Sequence, residues 1–469
     1  MNRYYLAVDI GASSGRHILA SLNNGKLCLE EIYRFENRMV IKNNHLCWDS
    51  TNLFDEILQG MKRCGEIGKI PESVGIDTWG VDFALLDEND ELLGDTVAYR
   101  DARTTGMEEA VYQIIPALEL YQRTGIQMQK FNTIYQLYAM RLQNDEALER
   151  AKSLLMLPEY FNFLLTGNKI NEYTVATTSQ LVNARAKTWD LDIIRRIGIN
   201  PDMFGKIEMP GTVVGHLKPS IQKLVGFDCK LVLPAAHDTA SAVLSVPATD
   251  DDYIFISSGT WSLIGVERFE PDCSVESLRH NFTNEGGFDF RFRYLKNIMG
   301  LWIIQSVRHE LGSQYSFDDL CDLAQQSSYF HTIIDVNDDC FLSPENMTEA
   351  IKTHCEKHGK KVPETTGELM ACVYNSLAKS YADAVQEIEQ LTGRVYTRIN
   401  IVGGGTKDVY LNQLAAKYTD KEVYVGPVEA TSIGNLLAQM LKNGEFENLE
   451  QARTVVATSF PIKKIGVDA

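Results

Sequence analysis

Two stretches of this chain are written to one plan, and that repetition limits the available folds more than any other feature. Tyr5 to Leu22 reads YLAVDIGASSGRHILASL, and Tyr253 to Phe269 reads YIFISSGTWSLIGVERF. Each is an apolar strand, a small Gly/Ser/Thr turn and a second apolar strand, the signature of a β-hairpin. The two lie near the starts of halves of similar length, so duplication of one α/β domain accounts for them. The periodicity breaks at Val246 to Asp252, where Pro247 and an acidic run intervene. We therefore expect domains at 1–246 and 247–469, within the range of about two to four domains that 469 residues allow.

The densest chemistry falls at that junction, in LVLPAAHDTASAVLSVPATDDDYIFISSGTWSLIG, Leu231 to Gly265. LVLPAA reads as a short buried strand and HDTASAVLS as a helix, placing Asp238 where strand gives way to helix. An acid there meets free N–H groups and the positive end of the helix dipole, which keep it ionised and oriented. The Ser-Ser-Gly-Thr turn that follows offers backbone N–H groups and hydroxyls to an anion. A fixed carboxylate near an anion-binding turn points to phosphoryl transfer onto a hydroxyl. Taken singly, an Asp opening a helix is most often a cap, and such a turn is most often only a turn.

Along the rest of the chain, a three-stranded meander opens the sequence and a helix is expected over Leu53 to Cys64. SVGIDTWGVDFALLD reads as two short strands around a Thr-Trp-Gly turn, and a mostly helical middle closes LPEYFNFLLTG on Gly167. In the second half MGLWIIQSVRHEL and ELMACVYNSLAKSYADAVQEIEQLTG read as helices, and RINIVGGGTKDVYLNQLAAKY as strand, triple-glycine turn and helix. Apolar strands feeding helices through Gly turns place ligands at the strands' carboxyl ends.

Several local patterns carry further expectations. In GASSGR the glycines let backbone approach a phosphate, with Ser13, Ser14 and Arg16 as donors. Asp9, ending its strand, could organise Mg²⁺ through water; a structural buried acid is the competing reading. Gly403, Gly404 and Gly405 open a helix and could admit an adenine or ribose face, yet they form neither GxGxxG nor a P-loop. Trp79, Gly80 and Asp82 sit at a loop where a ring and an acid would suit a polyhydroxylated ligand, although Trp79 alone reads better as core. A triad of His237, Asp238 and Ser257 or Ser258 is disfavoured, because adjacent residues rarely form the acid–His pair and no GxSxG elbow exists.

Composition excludes some classes. A net charge of −18 argues against a nucleic-acid or anionic-membrane binder. No apolar run reaches membrane-spanning length, and MNRYYLAVDIGASSGR is not a signal peptide. Nine scattered cysteines without CxxC spacing suit reduced thiols in the cytoplasm rather than a zinc site, and Cys355 and Cys372 could be neighbours.

DIGASSGR, IDTWGVDFALLD, YRDARTTG, FNTIYQLYA, NEYTVATTSQLVN, AAHDTASAV, SSGTWSLIG, TNEGG, LKNIMGLWIIQ and IVGGG occur in that order. Together they resemble the FGGY family of carbohydrate kinases, over nearly the whole chain from Leu6 to Gln439. The resemblance implies two ribonuclease H-like, actin-type ATPase domains flanking a cleft, the hairpins being the two phosphate loops. It implies phosphorylation of a ketose by ATP with Mg²⁺, in the cytoplasm, with Asp238 as proton acceptor. Gly80, His237, Asp238, Thr239 and Asn297 would bind sugar. Ala12, Ser13, Ser14, Gly15, Arg16, Thr260, Gln305, Gly403, Gly404 and Gly405 would surround ATP. An actin-like ATPase or a sugar-sensing module would share the nucleotide-binding parts without the transfer.

Overall fold

A computed structural model describes residues 3–312 and 314–466. Contacts divide the chain into two units, one of Met1–Thr249, Glu267–Tyr294 and Ala430–Ser459, the other of Asp250–Val266, Leu295–Glu429 and Phe460–Ala469. Each unit thus recruits segments distant in sequence, because a helix or strand closes a sheet wherever its apolar face fits.

The first unit is built on a six-stranded sheet in the order Val213–His216, Lys230–Val232, Pro71–Thr78, Tyr4–Ile10, Ser14–Asn23, Lys26–Glu36. Tyr4–Ile10 runs antiparallel to Ser14–Asn23 and parallel to Pro71–Thr78, which runs parallel to Lys230–Val232. All of Tyr4–Ile10 except Tyr4 is buried, as expected of a strand covered on both faces. Register puts Asp9 opposite both Arg16 and Asp77, so the two acids share one face of the sheet. His17 pairs with Val8 and therefore faces the other way, where the ring stands so close to Gly60 of the helix Ser50–Glu66 that a Cβ there would collide with it. Leu53, Ile57, Met61 and Cys64 form that helix's buried stripe, and Asp49 caps it by accepting from Asn52 N.

The acids' face is covered by the helix Ala430–Lys442. Gly434 lets it approach the helix Asp238–Leu244, since a side chain at 434 would collide with Ser241 O. Its polar residues Ser432, Asn435 and Gln439 are fully buried and fall on one stripe at helical spacing. They bind, in turn, Asp9, Asp77 and the backbone oxygen of Leu6.

The second unit repeats the plan. Tyr253–Ser258 runs antiparallel to Trp261–Arg268 and parallel to Arg398–Val402, which runs parallel to Glu422–Val425. Lys463–Ile465 closes the edge antiparallel. Thr366–Thr392 is the long helix, begun by a Thr365/Glu368 capping box and ended by Gly393 at φ +64. Cys355 and Cys372, both buried, come together, and Cys355 together with burial pushes the Cys372 thiol well up.

Two local readings are revised. The triple glycine does not open a helix. Gly403 takes φ +88, Gly404–Lys407 makes one 3₁₀ turn, and the helix Val409–Thr419 begins only after Asp408 caps it. The helix expected from Met299 starts at Trp302, because Leu301 N and Trp302 N donate to Gly259 O and Thr260 O at 3.1 Å each.

Candidate active site

The sequence-derived residues fall into two groups, one in each unit. In the first unit Asp238 begins the helix Asp238–Leu244. It is the first helical residue and not the cap; His237 holds the cap position and makes no side-chain capping bond. The Asp238 side chain is 31% exposed. Its Oδ1 accepts from Thr239 N at 2.5 Å and Thr239 Oγ1 at 3.1 Å. The carboxylate is thus oriented by its neighbour and by the helix start while remaining open to a ligand.

A buried acid fixes the segment leading into Asp238. Glu172 is fully buried, and burial pushes its carboxyl up to about 7 despite four donors. It accepts from Thr174 N, Thr174 Oγ1 and Val175 N, and at 3.3 Å from Ala236 N. His237 N donates to Thr174 Oγ1 at 3.2 Å, so one side chain secures both its own helix and the approach to Asp238.

Gly80 lies buried beside Thr178, and a Cβ on it would come within 2.8 Å of that side chain. The next residue, Val81, has φ +65, a costly conformation for a β-branched residue. It is held by Thr178 Oγ1, which accepts from Val81 N at 2.9 Å, and by Thr133 Oγ1, which donates to Val81 O at 2.6 Å. Asp82 does not face a ligand as expected. It is 1% exposed and accepts from Trp48 Nε1, Trp79 Nε1, Tyr99 N and Gln136 Nε2. Burial nevertheless raises it to about 6. Trp79, 7% exposed and 4.1 Å from the Trp48 ring centre, belongs to the core, in line with the simpler reading.

At the first hairpin, Ala12 to Ser14 form an accessible tip, and Gly11 N–H is spent inside the turn on Ser14 O at 2.9 Å. Gly15 is buried against Phe35, whose ring a Cβ would strike. Arg16 Nε rests on Asp9 Oδ2 at 3.1 Å, and Ser432 Oγ donates to the same oxygen at 3.0 Å. Behind Asp9 lies Asp77, fully buried and raised well above the usual carboxylate range by burial and then by the charge of Asp9. Asn435 Nδ2 donates to Asp77 Oδ2 at 2.5 Å, while Oδ1 has no hydrogen-bond partner among the described residues. Sequence reasoning missed Asp77, Ser432 and Asn435. The available signal was TSIGNLLAQ, whose buried-spaced polar residues interrupt an apolar helix.

In the second unit Thr260 is exposed at the hairpin tip, and Gln305 lies in the helix Trp302–Glu310 that is tied to that tip. Gly405 is buried so close to Ser258 that a side chain would collide with its Oγ, whereas Gly404 is exposed. Asn297 lies half-buried on the strand Phe292–Met299.

A hairpin pairing parallel to the next strands, with acids at the strand ends and a second copy of the plan, defines a ribonuclease H-like, actin-type phosphotransferase fold. Solved structures share it. A ligand-bound xylulose kinase from Lactobacillus acidophilus aligns with TM-score 0.81 at 18% identity, covering 98% of this chain and 92% of that one. A Plasmodium falciparum glycerol kinase with ADP aligns with TM-score 0.78 at 13% identity, covering 98% and 94%. The chain belongs to the FGGY family of carbohydrate kinases, whose N-terminal domain model matches residues 4–245 and whose C-terminal domain model matches residues 254–442. Among its relatives, rhamnulokinases from Halalkalibacterium halodurans and Oceanobacillus iheyensis are 52% and 50% identical, each match covering 98% of both chains.

Proposed function

We propose that this carbohydrate kinase transfers the terminal phosphoryl group of ATP to the primary hydroxyl of L-rhamnulose, giving L-rhamnulose 1-phosphate. The observation that carries the reading is identity of 52% over 98% of both chains with a rhamnulokinase. The geometry supports it, since Asp238 is a ligand-accessible acid oriented by Thr239 and the helix start. Asp238 would orient the sugar hydroxyl and accept its proton late, with alignment contributing more than basicity because the phosphoryl transition state is loose. Gly80, His237, Thr239 and Asn297 would hold the sugar. Ala12 to Arg16, Thr260, Gln305 and Gly403 to Gly405 would surround ATP. Residues 1–246 would then carry the sugar-binding and first phosphate-binding parts, and 247–469 the second hairpin and the adenosine contacts.

Mg²⁺ fits the first unit. Among the described residues no group of three or more His, Cys, Asp or Glu could hold a metal directly. One or two carboxylates acting through water suffice for this ion. Asp9, with the buried Asp77 behind it, whose Oδ1 has no hydrogen-bond partner among the described residues, would hold it in that way. Bound there, it would neutralise phosphate charge. Nine free thiols suit a reducing compartment, and we place the protein in the cytoplasm.

The test is a ketose panel scored as kcat/KM. L-Rhamnulose should lead, with L-fuculose and D-xylulose clearly poorer. Faster turnover of either rival would overturn the substrate while leaving the family intact.

A further inference from the structure

Beside the proposed acceptor site lies a buried ion pair that no role above requires. Arg293 is fully buried, and Glu285 is 6% exposed. Arg293 Nη2 lies 2.9 Å from Glu285 Oε2, and Arg293 Nε donates to Gly286 O at 2.9 Å. Stability does not account for the arrangement. Buried pairs seldom outperform apolar packing, and this one leaves Arg293 Nη1 and Glu285 Oε2 without hydrogen bonds among the described residues.

What the pair does reach is the imidazole of His237. Arg293 Nη2 donates to His237 Nδ1 at 3.0 Å. Glu285 Oε2 lies 3.2 Å from the same nitrogen, at hydrogen-bonding distance but without hydrogen-bond alignment. On its other side, His237 Nε2 stands 3.4 Å from Asp238 Oδ1. A guanidinium has five donors and no acceptor. Contact with Arg293 therefore requires a lone pair on Nδ1 and puts the ring proton on Nε2. The ring's outer edge then offers a donor beside the Asp238 carboxylate. The same ring with its proton on Nδ1 would present a lone pair there and repel both that carboxylate and an accepting sugar oxygen.

We propose that Arg293, charge-balanced by Glu285, is a positioning residue for the phosphoryl-acceptor site: it fixes His237 as the Nε2–H tautomer, so that His237 donates beside Asp238. The proposal deepens the kinase reading above and rests on it for the identity of the acceptor. Glu285 serves to keep the buried guanidinium in place: burial opposes its charged form, and the adjacent Arg293 charge pulls its carboxyl down below the usual carboxylate range.

The tautomer can be read without any sugar, by long-range ¹H–¹⁵N correlation on full-length protein labelled in histidine, His237 being assigned by its loss in His237→Gln. We expect Nδ1 in the unprotonated range and a proton on Nε2. A proton on Nδ1 would mean that Glu285 holds the ring and would overturn the proposal even if the enzyme is a perfect rhamnulokinase. The second measurement uses the paired variant Arg293→Met/Glu285→Gln, which strands no buried charge. It should populate both tautomers and lose roughly tenfold to a hundredfold in kcat/KM for L-rhamnulose, the usual cost of removing an outer-shell partner. KM for ATP should stay within about twofold. A folded double variant with a single Nε2–H tautomer and wild-type kcat/KM would also overturn it. Absence of ketose turnover in the wild type would instead remove the kinase reading and leave the tautomer result standing.

Discussion

At Asp238 a helix start and a reactive group coincide, and the two roles make different demands. A cap would spend its oxygens on N–H groups two and three residues on. Asp238 instead accepts from the adjacent Thr239 and has His237 Nε2 3.4 Å away, and the helix is entered from His237. Asp238→Asn keeps the shape and removes the charge that receives a proton. It should lower kcat on the order of 10²–10⁴-fold with a smaller change in KM and little change in Tm. Wild-type kcat in a folded variant would reduce Asp238 to a structural residue. Its place was legible in HDTASAV because strand-to-helix transitions are locally encoded. The partners that define its neighbourhood were not. Glu172 reaches Ala236 across 64 positions, and Arg293 reaches His237 across 56. Nothing local in NEYTVATT or FRFRYL marks a buried carboxylate or guanidinium. Asp82 misled for the same reason, since a loop acid beside Trp reads as ligand-facing until its four donors are seen.

Elements were legible wherever turn chemistry fixed them. Both hairpins appear as read, yet their tip glycines prove less constrained than glycine turns usually are. Neither Gly11 nor Gly259 has positive φ, and a Cβ would meet only Ser14 O at 3.4 Å or Trp261 O at 3.8 Å. Alanine should therefore be tolerated at both, and Gly11→Phe or Gly259→Phe should fold while obstructing the approach of phosphate. Calorimetry should find ATP binding weakened at least tenfold and ketose binding retained; intact ATP binding in both would remove the phosphate-loop role. The helix Leu157–Thr166 yields a different test. Glu159, completely buried, closes its capping box on Met156 N and also binds Glu172 N and Asn171. Burial raises its carboxyl from 4.5 to about 8. The folded chain therefore keeps a proton that the unfolded chain releases near 4.5. Stability from this group is fully present below that pH and is lost as pH rises through about 8. Wild-type Tm minus Glu159→Gln Tm should fall across that window; a flat difference would show that Glu159 is ionised when folded.

For the whole molecule, the residues to which the proposed function gives roles are distributed over the two units of the duplicated plan. Asp9, Asp77, His237 and Asp238 belong to one, and Thr260, Gln305 and Gly403 to Gly405 to the other. Duplication was readable because a hairpin is local, whereas the recruitment of Ala430–Ser459 to the first unit was not, resting on bonds such as Asn435 to Asp77 across 358 positions. Water competes as a nucleophile at far higher concentration than any sugar. A kinase whose proposed acceptor residues and nucleotide residues are each drawn from both units can suppress that competition by making turnover depend on both ligands. The buried polar groups around His237 and Asp238 would favour a sugar whose hydroxyls satisfy them, and a site of that kind rejects a sugar that misplaces one. We therefore expect ADP release from ATP alone to be slower than release with saturating L-rhamnulose by about 10³-fold or more, close to one phosphorylated sugar per ADP. A non-phosphorylatable analogue lacking the primary hydroxyl separates two causes. If it speeds hydrolysis, sugar binding itself completes the catalytic arrangement and water takes the acceptor's place. If ADP release stays slow with the analogue yet is equally fast with any hydroxylated ketose, the sugar acts only as a nucleophile and conditional assembly is wrong. Vigorous hydrolysis with no sugar present would remove the dependence altogether and favour an ATPase that shares this fold.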